Sequence, residues 1–151
     1  QTVVRRFGGK EGLLAAACAQ IREDILARRR VAAGDIPHAI DALARDYEAL
    51  GELVMHMLAQ EGRYPAIRVI TDTGRRSHRD WVAELFAPWL GKLAPATRRS
   101  TLDALVVATD LYVWALIRRD MGRSLSDYKS LVLRNIDAAL AGAAATREKK
   151  S

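Results

Sequence analysis

Two polar residues stand out against apolar surroundings, and both could meet a ligand. His78 shares a helical face with Trp81 and Leu85, and Asp110 sits inside the run LVVATDLYVWALI. An ionised carboxylate buried without a partner costs several kcal/mol. Asp110 must therefore meet an arginine, a hydrogen-bond donor, water or a ligand. His78 is either a core histidine satisfied by a backbone carbonyl or a polar handle in a cavity. Small-molecule pockets are mostly apolar with a few placed polar groups, and His78, Trp81, Leu85, Asp110 and Trp114 have that composition. They are the candidate ligand-binding residues, and the expected occupant is an aromatic or otherwise largely apolar molecule. The arginines are expected off the apolar stripes, so the excess of positive charge says nothing about the ligand's own charge.

Other chemistry finds little to work with. The chain has no Gly-rich phosphate loop, no HExxH and no Cys/His cluster, and its three histidines, His38, His56 and His78, have no metal-ligand spacing on one helix. Cys18 lies among alanines near an apolar face, the setting of a small buried hydrophobe rather than a nucleophile. No catalytic residue, metal or cofactor is expected, and the protein is not expected to be an enzyme.

With 151 residues the chain has room for one domain, or a domain and a fragment. A single cysteine excludes an internal disulfide framework and suits a reducing cytosol, so a cytoplasmic location is expected. No apolar run approaches the roughly 18 residues of a membrane span, and no membrane partner is expected. A formal charge of +6 hints at a polyanionic partner. The paired arginines behind it usually form a solvated helix face.

Positioning the candidates falls to helices alone. No segment alternates with period two for long enough to be a strand, which predicts an all-α fold. A short helix, Thr2 to about Phe7, stops at Gly8-Gly9. The next runs from Lys10 to about Arg30, with Leu14, Ala17, Ile21 and Ile25 along one face. Asp35 is placed to cap a third helix, whose stripe is Ile36, Ile40, Leu43, Tyr47, Leu50, Val54 and Leu58. A fourth spans about Pro65 to Leu90, with a break expected near Gly74 and a kink or end at Pro88. The fifth, about Ala96 to Met121, is apolar nearly all round. A second chain is its expected cover, making a homodimer with Tyr112, Leu125, Tyr128, Leu131 and Val132 at the interface. A Ser124/Asp127 capping box opens the last helix, which turns Leu125, Tyr128, Val132, Ile136 and Leu140 inward and reaches about Ala141.

The first helix is too short to stand alone, since an isolated helix needs roughly 12–15 residues. TVVRRFGGKEGLL resembles the end of the helix-turn-helix in tetracycline-repressor-like (TetR-family) transcriptional regulators, where T-x-Y-x-x-F-x-x-K-x-x-L closes the recognition helix. Thr2, Phe7, Gly8, Lys10, Glu11 and Leu13-Leu14 carry the likeness. TDLYVWALIRRDMGRS is similar to the penultimate helix and turn of one branch of that family. The resemblance implies a remnant of the DNA-binding domain over residues 1–9, a helical effector-binding and dimerisation domain over 10–145, and a polar tail over 146–151. It implies two further helices ahead of Gln1, absent from this chain.

The implied function is a ligand-responsive repressor acting as a homodimer on palindromic operator DNA, with contacts from Gln1, Thr2, Val4, Arg5, Arg6 and Lys10. Val4 stands where the family has a tyrosine whose hydroxyl commonly reaches a phosphate, a loss that Arg5, Arg6 and Lys10 can offset electrostatically. The alternative from another class is a helical dimerisation or protein-interaction module, with no small-molecule effector and its cavity filled by its own side chains.

Overall fold

The computed structural model describes residues 9–148. Gln1, Thr2, Val4, Arg5 and Arg6, the DNA-contact candidates ahead of Gly9, lie outside that range, and Lys10 opens the first described helix. Every described element is helical, with no strand. In chain order these are α1 (Lys10–Arg28), α2 (Ile36–Gln60), α3 (Pro65–Leu85), α4 (Ala87–Leu90), α5 (Pro95–Ala108), α6 (Leu111–Trp114) and α7 (Leu125–Glu148). A π-helical segment, Ala115–Asp120, continues directly from α6. Gly9 precedes α1 with φ 101°, a left-handed conformation that only glycine adopts without strain.

The stripe along α2 organises the core, and it divides into two halves. Ala39, Ile40, Leu43 and Ala44 are buried against Val82, Leu85 and Phe86, Leu105, and Tyr128, Val132 and Ile136 of α7. Leu50, Val54 and Leu58, further along the same stripe, are only half-buried. α7 is capped as its sequence predicts: the Ser124 N–H donates to Asp127 Oδ2 (3.2 Å) and the Asp127 N–H to Ser124 Oγ (3.0 Å).

Three boundaries differ from expectation. α3 runs unbroken through Gly74 and ends instead at Phe86. A mid-helix glycine costs only about 1 kcal/mol, which packing overrides, whereas Pro88 has no N–H to give the ladder and sits in the first turn of the new helix α4. The long fifth helix is broken at Thr109-Asp110. There Asp110 acts as an N-cap, its carboxylate accepting the Tyr112 N–H at 2.8 Å. That contact satisfies the carboxylate that looked costly in an apolar run. The last helix extends past Ala141 to Glu148.

By length and composition the stretch Pro95–Asp120 is a candidate membrane span, contrary to the expectation of none. Here it is interrupted at Thr109-Asp110, and Leu105, Leu111, Trp114 and Ile117 belong to the common core. Its other side is bare. Val107 (64% exposed), Tyr112 (55%), Leu116 and Met121 face outward uncovered.

Trp114 ties α6 to α2 through one glycine. Its indole N–H donates to Glu48 Oε1 (2.8 Å), a carboxylate that Arg118 also grips through Nε (2.8 Å) and Nη2 (2.7 Å). With the ring pinned in this way, Gly51 packs under it: a Cβ there would stand 2.5 Å from Trp114 Cζ3. Alanine normally stabilises a helix interior relative to glycine by about 1 kcal/mol. At this position Gly51→Ala is expected to do the reverse, lowering stability by about 1–3 kcal/mol through overpacking. Urea denaturation of the two proteins measures the difference, with Gly74→Ala, whose Cβ meets open space, as the stabilising control.

Candidate functional site

A half-open cavity of about 600 Å³ lies between α1, α2, α3 and the α5–α6 junction, with Leu53, Val69 and Tyr112 of its wall exposed to solvent. Its walls are the parts of the amphipathic stripes that the core does not use. α2 contributes Leu50, Val54 and Leu58, α1 contributes Cys18, Ile21 and Ile25, and α3 contributes Ile70. None of the residues of α1 is fully buried, and Leu13, Leu14, Ile21 and Leu26 are exposed. This helix is the one long element that lacks a core contact of its own. Cys18 is half-buried in the wall, where desolvation raises its thiol pKa, so it serves as a small hydrophobe.

His78, Trp81 and Asp110 line the cavity. The His78 ring lies 5.7 Å from Trp81, centroid to centroid. Its Nε2 is 3.1 Å from Thr109 Oγ1, a hydroxyl that itself donates to the Leu105 carbonyl (2.9 Å). Thr109 Oγ1 therefore accepts from Nε2–H, and Nδ1 is left as a buried acceptor without a partner. Burial and then the neighbouring Arg29 cation push the imidazole pKa down to about 4. The ring is neutral at physiological pH.

Leu85 and Trp114, the other two candidates, do not line the cavity. Leu85 is packed in the core and Trp114 is committed to Gly51 and Glu48. In their place the wall holds Tyr47, from the α2 stripe, and the arginines Arg22, Arg29, Arg75 and Arg79. Their expected position away from the apolar surface is corrected. An arginine lays its aliphatic stem along an apolar wall while its head finds a partner.

Arg29 is the deepest of these and is only 7% exposed. Its Nε donates to Asp46 Oδ2 (2.7 Å), and Arg28 holds Asp46 Oδ1 (2.9 Å). The Arg29 guanidinium stands 5.2 Å from the Tyr47 ring centroid and 5.5 Å from that of Trp81, and its carbonyl accepts the Trp81 indole N–H (3.2 Å). Arg75 pairs with Glu61 (2.7 Å) and Asp72 (2.9 Å), and Arg79 with Asp103 (2.7 Å). Arg75 and then the Thr71 hydroxyl hold the Glu61 carboxyl down at about 2.

The interface candidates scatter. Tyr128 and Val132 are wholly enclosed in the chain's own core, which closes them to a second chain. Leu125 and Leu131 are half-buried, and Tyr112 alone of the five is largely exposed. Along and just past Pro95–Asp120 the large apolar residues left exposed are Val107, Tyr112, Leu116 and Met121, of which Tyr112 also stands in the cavity wall. Among the described residues no group of three or more His, Cys, Asp or Glu gathers as metal ligands.

His78 makes stability depend on pH. Its folded pKa of about 4 lies below the ordinary 6.5, so the unfolded chain binds an extra proton between those values. The stability that neutral His78 contributes is complete above pH 6.5 and is lost as pH falls through 4. At about 1.4 kcal/mol per unit the loss approaches about 3 kcal/mol. His38, whose pKa is raised by its bond to Asp35, acts in the opposite sense but is common to both proteins. Chemical denaturation from pH 7 to pH 4 should therefore show a steeper fall for the native chain than for His78→Gln.

No protein-family model, no curated protein and no solved structure matches this chain.

Proposed function

We propose that this all-helical chain is the effector-binding and dimerising part of a TetR-like transcriptional regulator. The cavity is the observation that carries the reading. Ligand sites typically enclose about 300–1,000 Å³ with apolar walls and a few placed polar groups. Here about 600 Å³ is walled by such residues, with Trp81 and His78 among them. The likeness of Thr2–Leu14 to the close of a recognition helix supplies the second support, and it puts α1 directly between the DNA-reading residues and the cavity.

The mechanism follows from how α1 is held. Arg28 and Arg29 fasten its C-terminal end to Asp46 of α2, and along its length it leans on the cavity. A ligand that fills the cavity supplies the apolar contacts α1 otherwise lacks and so favours one tilt of the helix. Such a coupling is typically about 1–3 kcal/mol, enough to shift the spacing of two heads on a palindromic operator. Repression released by an effector is the proposed outcome.

A second reading, a helical dimerisation or interaction module without an effector, rests on the exposed apolar residues Val107, Tyr112, Leu116 and Met121. Both readings place a second copy of the chain there, since a stable interface of about 1,200–2,000 Å² needs an apolar centre of this kind. They part over the cavity. Native mass spectrometry of the purified protein is expected to give a dimer carrying a small-molecule mass that is released on denaturation. A bare dimer, whose tryptophan emission ignores apolar ligands just as Trp81→Phe does, would favour the module.

A further inference from the structure

Within the reading of the cavity as a ligand site, we infer that its occupant is an amphiphilic organic anion, an apolar body with an acidic head held by Arg22. Four arginines line the cavity, and three arrive with carboxylates of their own: Arg29 with Asp46, Arg75 with Glu61 and Asp72, and Arg79 with Asp103. Among the described residues Arg22 has no carboxylate partner, and its Nε is buried without a hydrogen-bond acceptor. A buried donor left unpaired is costly, and one that carries charge is more so. A carboxylate on the ligand removes that cost and forms a charge-assisted bond.

The surroundings of Arg22 argue for an anion over a neutral acceptor. Arg22 and Arg29 lie seven residues apart on the same helical face, so α1 presents two guanidiniums to the cavity. Asp46, the carboxylate beside Arg29, is already divided between Arg28 and Arg29. Asp110 is the one acidic residue in the wall, and its Oδ1 accepts the Tyr112 N–H. The rest of the wall, Ile25, Leu50, Val54 and Leu58 among it, is aliphatic and suits an alkyl or alicyclic body.

The test uses three probes with one tail, each below its micelle-forming concentration: dodecanoate, dodecanol and dodecylammonium. Isothermal titration calorimetry is expected to rank dodecanoate at least tenfold tighter than dodecanol, with dodecylammonium weakest. Arg22→Gln should erase the advantage of dodecanoate and leave dodecanol binding unchanged, which also shows that the variant is folded. Equal binding of dodecanoate and dodecanol, or a preference that survives in Arg22→Gln, would overturn the anionic head and leave the cavity's role as a ligand site standing. Failure of all three probes to bind would overturn both.

Discussion

Asp46 accepts from two guanidiniums at once, and most of what is distinctive about this molecule hangs on that carboxylate. It is 4% exposed, and Arg29 beside it is nearly as deep. Removing one member of a buried ion cluster typically costs about 3–5 kcal/mol, because the remaining charge is stranded away from water. The cluster joins the end of α1 to the middle of α2 and, through Trp81, to α3, and α1 has no core residue of its own to make that link. Arg29 closes the arrangement with its cation over Tyr47 and Trp81, which turns an ion pair into a corner of the cavity wall.

From that corner the molecule divides into a packed half and a hollow half. α2 serves both, with Ile40 and Leu43 in the core and Leu50, Val54 and Leu58 along the cavity. Trp114 sits at the border, where Gly51 admits it and Glu48 fixes it, so that α6 seals the packed half. On the hollow side α1 has apolar residues at helical spacing and no core to put them in. A helix in that position is stabilised by whatever enters the space beside it. On the reading proposed above, this couples a ligand to the segment ahead of Lys10.

Much of the packed half could be read from the chain, because periodicity reports burial directly. Ile36, Ile40, Leu43 and Tyr47 mark α2, and Ser124 with Asp127 marks the start of α7, each through a local rule that the folded chain obeys. The break at Asp110 follows the same kind of rule, since an aspartate can cap the N–H two residues on, but the eleven apolar residues of LVVATDLYVWALI hide it in the pattern of one continuous helix. The hollow half was harder. Leu14, Ile21 and Ile25 look like a core stripe, and nothing local separates a stripe that meets a core from one that faces a void. The arginines were harder still: only a tertiary fold shows that Arg29 turns inward to Asp46, seventeen residues along the chain, while Arg22 finds no carboxylate.

α1 is pinned at its C-terminal end by Asp46 and has no buried residue along the cavity. Hydrogen–deuterium exchange of the backbone amides along α1 tests this directly. Amides from Leu14 to Ala19 should exchange far faster than those from Ile25 to Arg29, whose protection should approach that of the buried half of α2 and collapse in Asp46→Asn. Uniform protection along α1, equal to that of α2 and indifferent to Asp46→Asn, would contradict the account.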